Sequence, residues 1–234
     1  MRLLITRPAE DASELADRLQ TLGHETMIEP MLTIAPVPFS LPQGPIAAIV
    51  LTSRHGARMI AGEVTRHLAD IQVYCVGKAT AEAARIAGFK NVMDGGGNAA
   101  ALTAAVSGAL DGDKGVVLHV RGRHSRGAFA GKLPRQGFDA REVMVYVAVA
   151  APELSPGART AITAHALDGI VFLSPRTAQI FAGLANDAGL TAALAGLDAY
   201  CLSDAVAAPL AGLAMNNVIA GQPSLSELLD LLEH

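Results

Sequence analysis

The sequence predicts an α/β fold made of two similar parallel-sheet α/β domains. Three observations carry this. Short apolar runs alternate with longer Ala/Leu segments at helical spacing, the pattern of strand–helix–strand units and of a parallel sheet. Two proline-bearing stretches, 30–45 and 151–157, interrupt the alternation. An internal echo pairs the middle of the chain with its later part.

The first strand is read over 3–5 and ends at Thr6-Arg7-Pro8. Ala12, Leu15, Ala16, Leu19 and Leu22 then recur at three and four residues, one apolar helix face, and Gly23 reads as the C-terminal cap. A second strand covers 24–28. Pro30, Pro36, Pro38, Pro42 and Pro45 mark the next stretch as an extended connector, unsuited to a sheet interior. Strands follow over 47–51, 73–76, 91–93, 116–120 and 141–150, with helices over 56–64, 80–87, 99–110 and 126–134 among them. Beyond Pro152 and Pro156, helices over 160–166, 177–184, 205–213 and 225–232 alternate with strands over 170–173, 199–202 and 217–220.

The first piece holds two strands, too few for a stable sheet, and the last adds about three. The expected architecture is therefore discontinuous. Residues 1–34 and 152–234 build one domain, and 35–151, with the linker strands, build a second inserted into it. In the echo, Ile49-Val50-Leu51-Thr52-Ser53-Arg54 resembles Ile170-Val171-Phe172-Leu173-Ser174-Pro175, and Tyr74-Cys75-Val76-Gly77 resembles Tyr200-Cys201-Leu202-Ser203. Two matched strand–turn–helix units in the same order suggest related domains.

Composition narrows the function. The 234 residues are 51% hydrophobic and 17% charged, which excludes a disordered chain. A net charge of −4, no Trp and 4% aromatic residues argue against a nucleic-acid partner. Cys75 and Cys201 each lie in an apolar run and read as small buried hydrophobes. No apolar run reaches the roughly 18 residues of a membrane span, and MRLLITRPAED lacks the apolar stretch of a signal peptide. A soluble cytoplasmic protein is expected.

In parallel α/β sheets ligands bind beyond the carboxyl ends of the strands. Those ends carry Thr6-Arg7, Thr52-Ser53-Arg54, Gly77-Lys78-Ala79-Thr80, Asn98, Arg121-Gly122-Arg123-His124, Ser174-Pro175-Arg176 and Ser203-Asp204. Each precedes a helix, whose free N–H groups attract anions, although any one such hydroxyl also serves as an N-cap. Between 115 and 141, Arg121, Arg123, Arg126, Lys132, Arg135 and Arg141 face Asp139 alone, either a solvated basic face or an anion-attracting wall. The set suits a ligand with many carboxylates or phosphates. H-E-x-x-H, GxxxxGK[ST], G-x-S-x-G and G-x-G-x-x-G are absent, and the seven His show no ligand-like pairing. Neither a metal nor a cofactor is expected.

These residues resemble the uroporphyrinogen-III synthase family over essentially the whole chain. The markers are LLITRP (3–8), AIVLTSRHGA (48–57), VGKATAEAARIAGF (76–89), GGNAAALTAAV (96–106), VLHVRG (117–122), LPRQGFDAREVMVYVAV (133–149) and IVFLSPRTAQIF (170–181). The resemblance implies two flavodoxin/Rossmann-like domains, the middle one inserted into the first, joined by a two-stranded linker, with the active site in the cleft between them. It implies a cofactor-free cyclising hydro-lyase that closes the linear tetrapyrrole hydroxymethylbilane with inversion of its last ring, through azafulvene and spiro intermediates. By the same resemblance Tyr146 is the catalytic acid, and Thr6, Arg7, Ser53, Thr80, Asn98, Arg121, Gly122 and Ser174 bind substrate. A monomer, in passing contact with the bilane-forming deaminase, fits this picture. One departure stands out. The family's G-x-T-T-A-like turn reads here as Ser203-Asp204-Ala205-Val206-Ala207, which loses both Thr and adds a carboxylate. It motivates the alternative of a non-catalytic sensor of a polyanionic small molecule. A sugar or phosphate transferase would need a nucleotide loop, which the sequence lacks.

Overall fold

The computed structural model describes residues 1–63, 67–109, 115–124 and 139–233. Its first half runs β1 (Arg2–Ile5), α1 (Ala9–Thr21), β2 (Glu25–Ile28), β3 (Leu32–Pro36), β4 (Ile46–Leu51), α2 (Arg54–Glu63), β5 (Gln72–Cys75), α3 (Lys78–Ile86), β6 (Asn91–Asp94), α4 (Ala99–Ala109), β7 (Val116–Gly122) and β8 (Asp139–Ala150). Then come α5 (Pro156–Thr163), β9 (Gly169–Phe172), α6 (Pro175–Asp187), β10 (Asp198–Cys201), α7 (Asp204–Ala207), β11 (Asn216–Ile219) and α8 (Leu225–Asp230). The chain divides into two compact units, Met1–Thr33 with Val149–His234, and Ile34–Ala148.

The sheet of the first unit has the order β11-β10-β9-β1-β2, and all its pairings are parallel. Successive side chains of β1 enter opposite layers. Leu4 packs with Ile162, Phe172 and Phe181 on the α5/α6 side, and Leu3 and Ile5 with Leu15, Leu19 and Leu228 on the α1/α8 side. A sheet covered on both faces explains why its strands read as continuous apolar runs. Gly23 follows α1 at φ +84°, a left-handed turn that glycine adopts without strain, and Gly88 does the same after α3 at φ +102°.

The second sheet has the order β3-β8-β7-β4-β5-β6. From β8 to β6 its pairings are parallel. Ile49 and Leu51 pack beneath α2 and α3 with Ile60 and Ala84, and Ala48 and Val50 lie beneath α4 with Leu102 and Val106. Within the proline-bearing stretch 30–45 lies the edge strand β3. It runs antiparallel to β8: the Val37 N–H donates to the Val145 carbonyl and the Ala151 N–H to the Met31 carbonyl, each at 3.0 Å. Prolines are tolerated on an edge, where one side of the backbone needs no partner.

Counted within its own unit, the first sheet follows the doubly wound order 2-1-3-4-5, and the second, without β3, follows 3-2-1-4-5. The strands reverse direction of winding between β1 and β9 in one sheet and between β4 and β7 in the other. The echoed segments occupy matching places: Leu51 pairs with Cys75, and Phe172 with Cys201.

Two helices depart from the sequence reading. α5 starts at Pro156, because Ser155 caps it by accepting the Ala158 N–H and proline is favoured in a first helical turn. The segment 205–213 is a short α-helix followed by a 3₁₀ turn over Ala208–Leu213, since Pro209 has no N–H to continue the α pattern. The expected helix over 126–134 falls outside the described residues. Among the described residues no helix is long and apolar enough to cross a membrane.

Candidate active site

Both winding reversals place residues expected at the site side by side. In the second unit, β4 ends at Leu51 and Ser53 begins the turn into α2. The Ser53 Oγ accepts the Gly56 N–H at 3.0 Å, capping the helix, and lies 3.0 Å from the Tyr146 Oη. Tyr146 stands on β8, two strands away. Its position depends on a register shift: Arg121 pairs with Met144, but Gly122 pairs with Tyr146. The extra residue is a β-bulge, a device that re-aims side chains beside functional sites. It sends the consecutive residues Val145 and Tyr146 toward the same layer, beneath α2.

Gly122 completes the seat. A Cβ there would lie 2.5 Å from the Tyr146 Cε2 and Cζ and 2.9 Å from its Oη. Only glycine leaves room for the ring. The Arg123 N–H donates to the Tyr146 carbonyl at 3.0 Å, and the His55 ring meets the Tyr146 ring edge-on at 5.7 Å. Ser53, Gly122 and Tyr146 thus form one constellation.

The other expected residues of this unit sit on the same rim in different ways. Thr80 is buried in the first turn of α3. Asn98 is exposed and caps α4, its Oδ1 accepting the Ala100 and Ala101 N–H groups at 3.0 and 2.9 Å. Arg121 is held at home: its Nε lies 2.6 Å from the Glu142 Oε2, and its Nη1 donates to the carbonyls of Gly122 and Arg123. Of the basic stretch, Arg141 pairs with Asp139, and Arg126, Lys132 and Arg135 lie outside the described residues.

In the first unit, Ser174 caps α6, accepting the Thr177 N–H at 3.1 Å. Thr6 is fully buried and donates to the Val171 carbonyl at 2.8 Å, stitching β1 to β9 at the reversal. Arg7 forms an ion pair with the buried Asp11 at 3.2 Å. Asp204 is exposed at the start of α7, and Ser203 makes no side-chain cap there.

Sequence reasoning missed a buried histidine. His119 is 1% exposed and joins Thr52, through its Nε2 at 3.1 Å, to Glu142, through its Nδ1 at 3.3 Å. The available signal was alternation: His119 and Arg121 share one face of β7, with Glu142 opposite His119 on β8. Burial, with help from Arg121, lowers the ring's pKa below the ordinary histidine value against the opposing pull of Glu142. Burial pushes the Cys75 and Cys201 thiols up to about 12, so neither is a nucleophile at neutral pH. Among the described residues no three His, Cys, Asp or Glu gather as a metal site.

A family model described as uroporphyrinogen-III synthase HemD matches residues 13–230. The chain belongs to the uroporphyrinogen-III synthase family. Its fold is similar to the crystal structure of uroporphyrinogen-III synthetase from Helicobacter pylori, with a TM-score of 0.64 and 18% identity, over 99% of this chain and 98% of that one. It is also similar to a mutant uroporphyrinogen III synthase from the extremely thermophilic bacterium Thermus thermophilus, with a TM-score of 0.55 and 17% identity, over 100% and 97% of the two chains. Similarity at this identity speaks for the fold alone. No curated protein matches significantly. The mixed α/β architecture with mainly parallel sheets is therefore that of the uroporphyrinogen-III synthase structures.

Proposed function

We propose that this protein is a uroporphyrinogen-III synthase, a hydro-lyase that converts hydroxymethylbilane into uroporphyrinogen III and water without a cofactor. The observation that carries the reading is the Tyr146 hydroxyl, hydrogen-bonded to Ser53 at the winding reversal of a sheet in a chain of this family. Ser53 accepts from Gly56, so its own hydrogen can point at the Tyr146 Oη. That arrangement leaves the phenol hydrogen for the substrate.

The bilane brings eight carboxylates and one leaving hydroxyl. Tyr146 hydrogen-bonds the hydroxyl and donates its proton as the C–O bond breaks, releasing water and leaving a cationic azafulvene. The substituted carbon of the last ring attacks the freed methylene, forming the spiro intermediate. The bond to the neighbouring ring then breaks and re-forms at the other carbon, which inverts the ring, and loss of a proton restores the pyrrole. The bilane also closes without help and without inversion. The protein's task is therefore to hold the ring in the inverting pose, and orientation alone contributes several kcal/mol. In the second unit, the cap Asn98 and the first turn of α3 with Thr80 are read as contacts for substrate carboxylates, with Gly122 and Arg121 as supports of its strand ends. In the first unit, Arg7 and the cap Ser174 are read as carboxylate contacts, with Thr6 as support.

The exposed Asp204 favours one second reading, a sensor that binds a polyanionic tetrapyrrole without turning it over. Hydroxymethylbilane generated in situ, followed by oxidation and separation of porphyrin isomers, decides between them. A type III excess supports the synthase. Type I alone, at the spontaneous rate and with folded protein, refutes it.

A further inference from the structure

Across three adjacent strands, four polar side chains form one line. The Thr52 Oγ1 lies 3.1 Å from the His119 Nε2, and the His119 Nδ1 lies 3.3 Å from the Glu142 Oε1. The Glu142 Oε2 accepts from the Arg121 Nε at 2.6 Å, and the Arg121 Nη1 closes the line on two backbone carbonyls. The strand register enforces this: Val50, one residue before the end of β4, pairs with His119, which pairs with Glu142. Nothing in the proposed chemistry above uses His119 or Glu142.

Hydrogen-bond chemistry gives the line a direction. A carboxylate paired with a guanidinium only accepts, so the His119 nitrogen facing Glu142 carries the ring hydrogen. In a neutral imidazole the other nitrogen is then an acceptor, and Thr52 must donate to it. The buried ring favours that neutral form. The Thr52 oxygen is left as an acceptor at the carboxyl end of β4, next to Ser53.

We propose that Arg121, Glu142 and His119 are positioning residues that lock the Thr52 hydroxyl as a hydrogen-bond acceptor for an N–H donor of the ligand. On the reading of the protein as a bilane cyclase, on which this rests, that donor is a pyrrole N–H. Adjacent residues of one turn then present opposite polarities. Thr52 accepts from a ring nitrogen, while Ser53 directs the Tyr146 phenol to donate to the leaving oxygen. A pyrrole turned the wrong way would offer carbon where Thr52 needs a donor. The pair therefore selects the orientation of the reacting ring.

Two measurements test this. The first needs no activity. Nitrogen-15 NMR of the imidazole rings in the intact protein at neutral pH, with His119 assigned by comparison with His119→Asn, should show His119 neutral and protonated at Nδ1. An Nε2-protonated ring or an imidazolium overturns the proposal. The second is a mutant cycle on type III formation. Thr52→Val and His119→Asn should each raise KM about tenfold, the worth of one neutral hydrogen bond, with little change in kcat. The double variant should be no worse than either single, because both act through one hydroxyl. Thr52→Ser should recover the wild-type KM. Wild-type KM in Thr52→Val, or additive losses in the double variant, overturn the proposal. If the wild-type protein forms no type III product, the cyclase reading fails instead, and the NMR result still decides whether the side chains are ordered as described.

Discussion

Replacing Gly122 with alanine should disable the site at modest cost in stability. The new Cβ would lie 2.5 Å from two ring carbons of Tyr146. Carbon atoms rest comfortably at about 3.5–4.0 Å, so the ring must retreat by about 1 Å. A retreat of that size directed away from Ser53 opens the Ser53–Tyr146 distance of 3.0 Å to about 4 Å, beyond hydrogen-bonding range. Overpacking of this kind costs roughly 1–3 kcal/mol, offset by about 0.4–1 kcal/mol because alanine restricts the unfolded chain more than glycine. The rate should fall much further than stability, about a hundredfold, as expected for a reacting group misplaced by about 1 Å. Urea unfolding reads the first quantity and the initial rate of type III formation the second. In a Tyr146→Ala background the alanine at 122 should lose most of its effect on stability, since the atoms it strikes are gone. A Gly122→Ala protein with wild-type rate refutes the geometric argument.

Three further outcomes follow from individual contacts. Tyr146→Phe should lower turnover by roughly 10²–10⁴-fold while costing about 1 kcal/mol in stability for the lost Ser53 contact; equal losses in KM and stability with kcat preserved would remove the tyrosine from the chemistry. Ser174→Ala should destabilise the fold by about 1 kcal/mol, because the Thr177 N–H that it caps belongs to a buried residue; urea unfolding with an unchanged midpoint would contradict that. Cys75 and Cys201 ionise in the folded protein only near about 12, against about 8.5 in the unfolded chain. The unfolded state thus sheds those protons first. Stability should be constant across neutral pH with respect to the thiols and fall as pH rises above about 8.5. A Cys75→Ala/Cys201→Ala protein should show less of that alkaline loss, and an identical profile would contradict the assignment.

The fold was largely legible because its central strands are buried on both faces and most of its helices are amphipathic. Apolar runs such as Ile49–Leu51 and Ile170–Phe172, closed by Ser53 and Ser174, announce strand, cap and helix in three or four residues. The prolines around β3 make that stretch read as an extended connector, since an edge accepts them and an interior does not. Strand order was illegible, since nothing local states whether β7 lies beside β4 or beyond β6.

The candidate site divides in the same way. Ser53 and Asn98 could be found as caps from local sequence alone. The meeting of Ser53 with Tyr146 could not, because it depends on long-range pairing and on one bulged residue that turns Tyr146 toward α2. Without the bulge, Tyr146 would share the face of Glu142 and Met144. Part of the basic character of 115–141 is offset by a residue outside it. Glu142 stands one position beyond that stretch, and the sheet brings it back onto Arg121.

The most direct measurement is the isomer ratio of porphyrin formed from hydroxymethylbilane by the wild-type protein and by Tyr146→Phe, run side by side with a no-protein control. The account predicts a strong type III excess for the wild type and, for the phenylalanine variant, a slow reaction dominated by spontaneous type I product. Wild-type protein that is folded yet yields only type I, or a phenylalanine variant that makes type III at the wild-type rate, would contradict it.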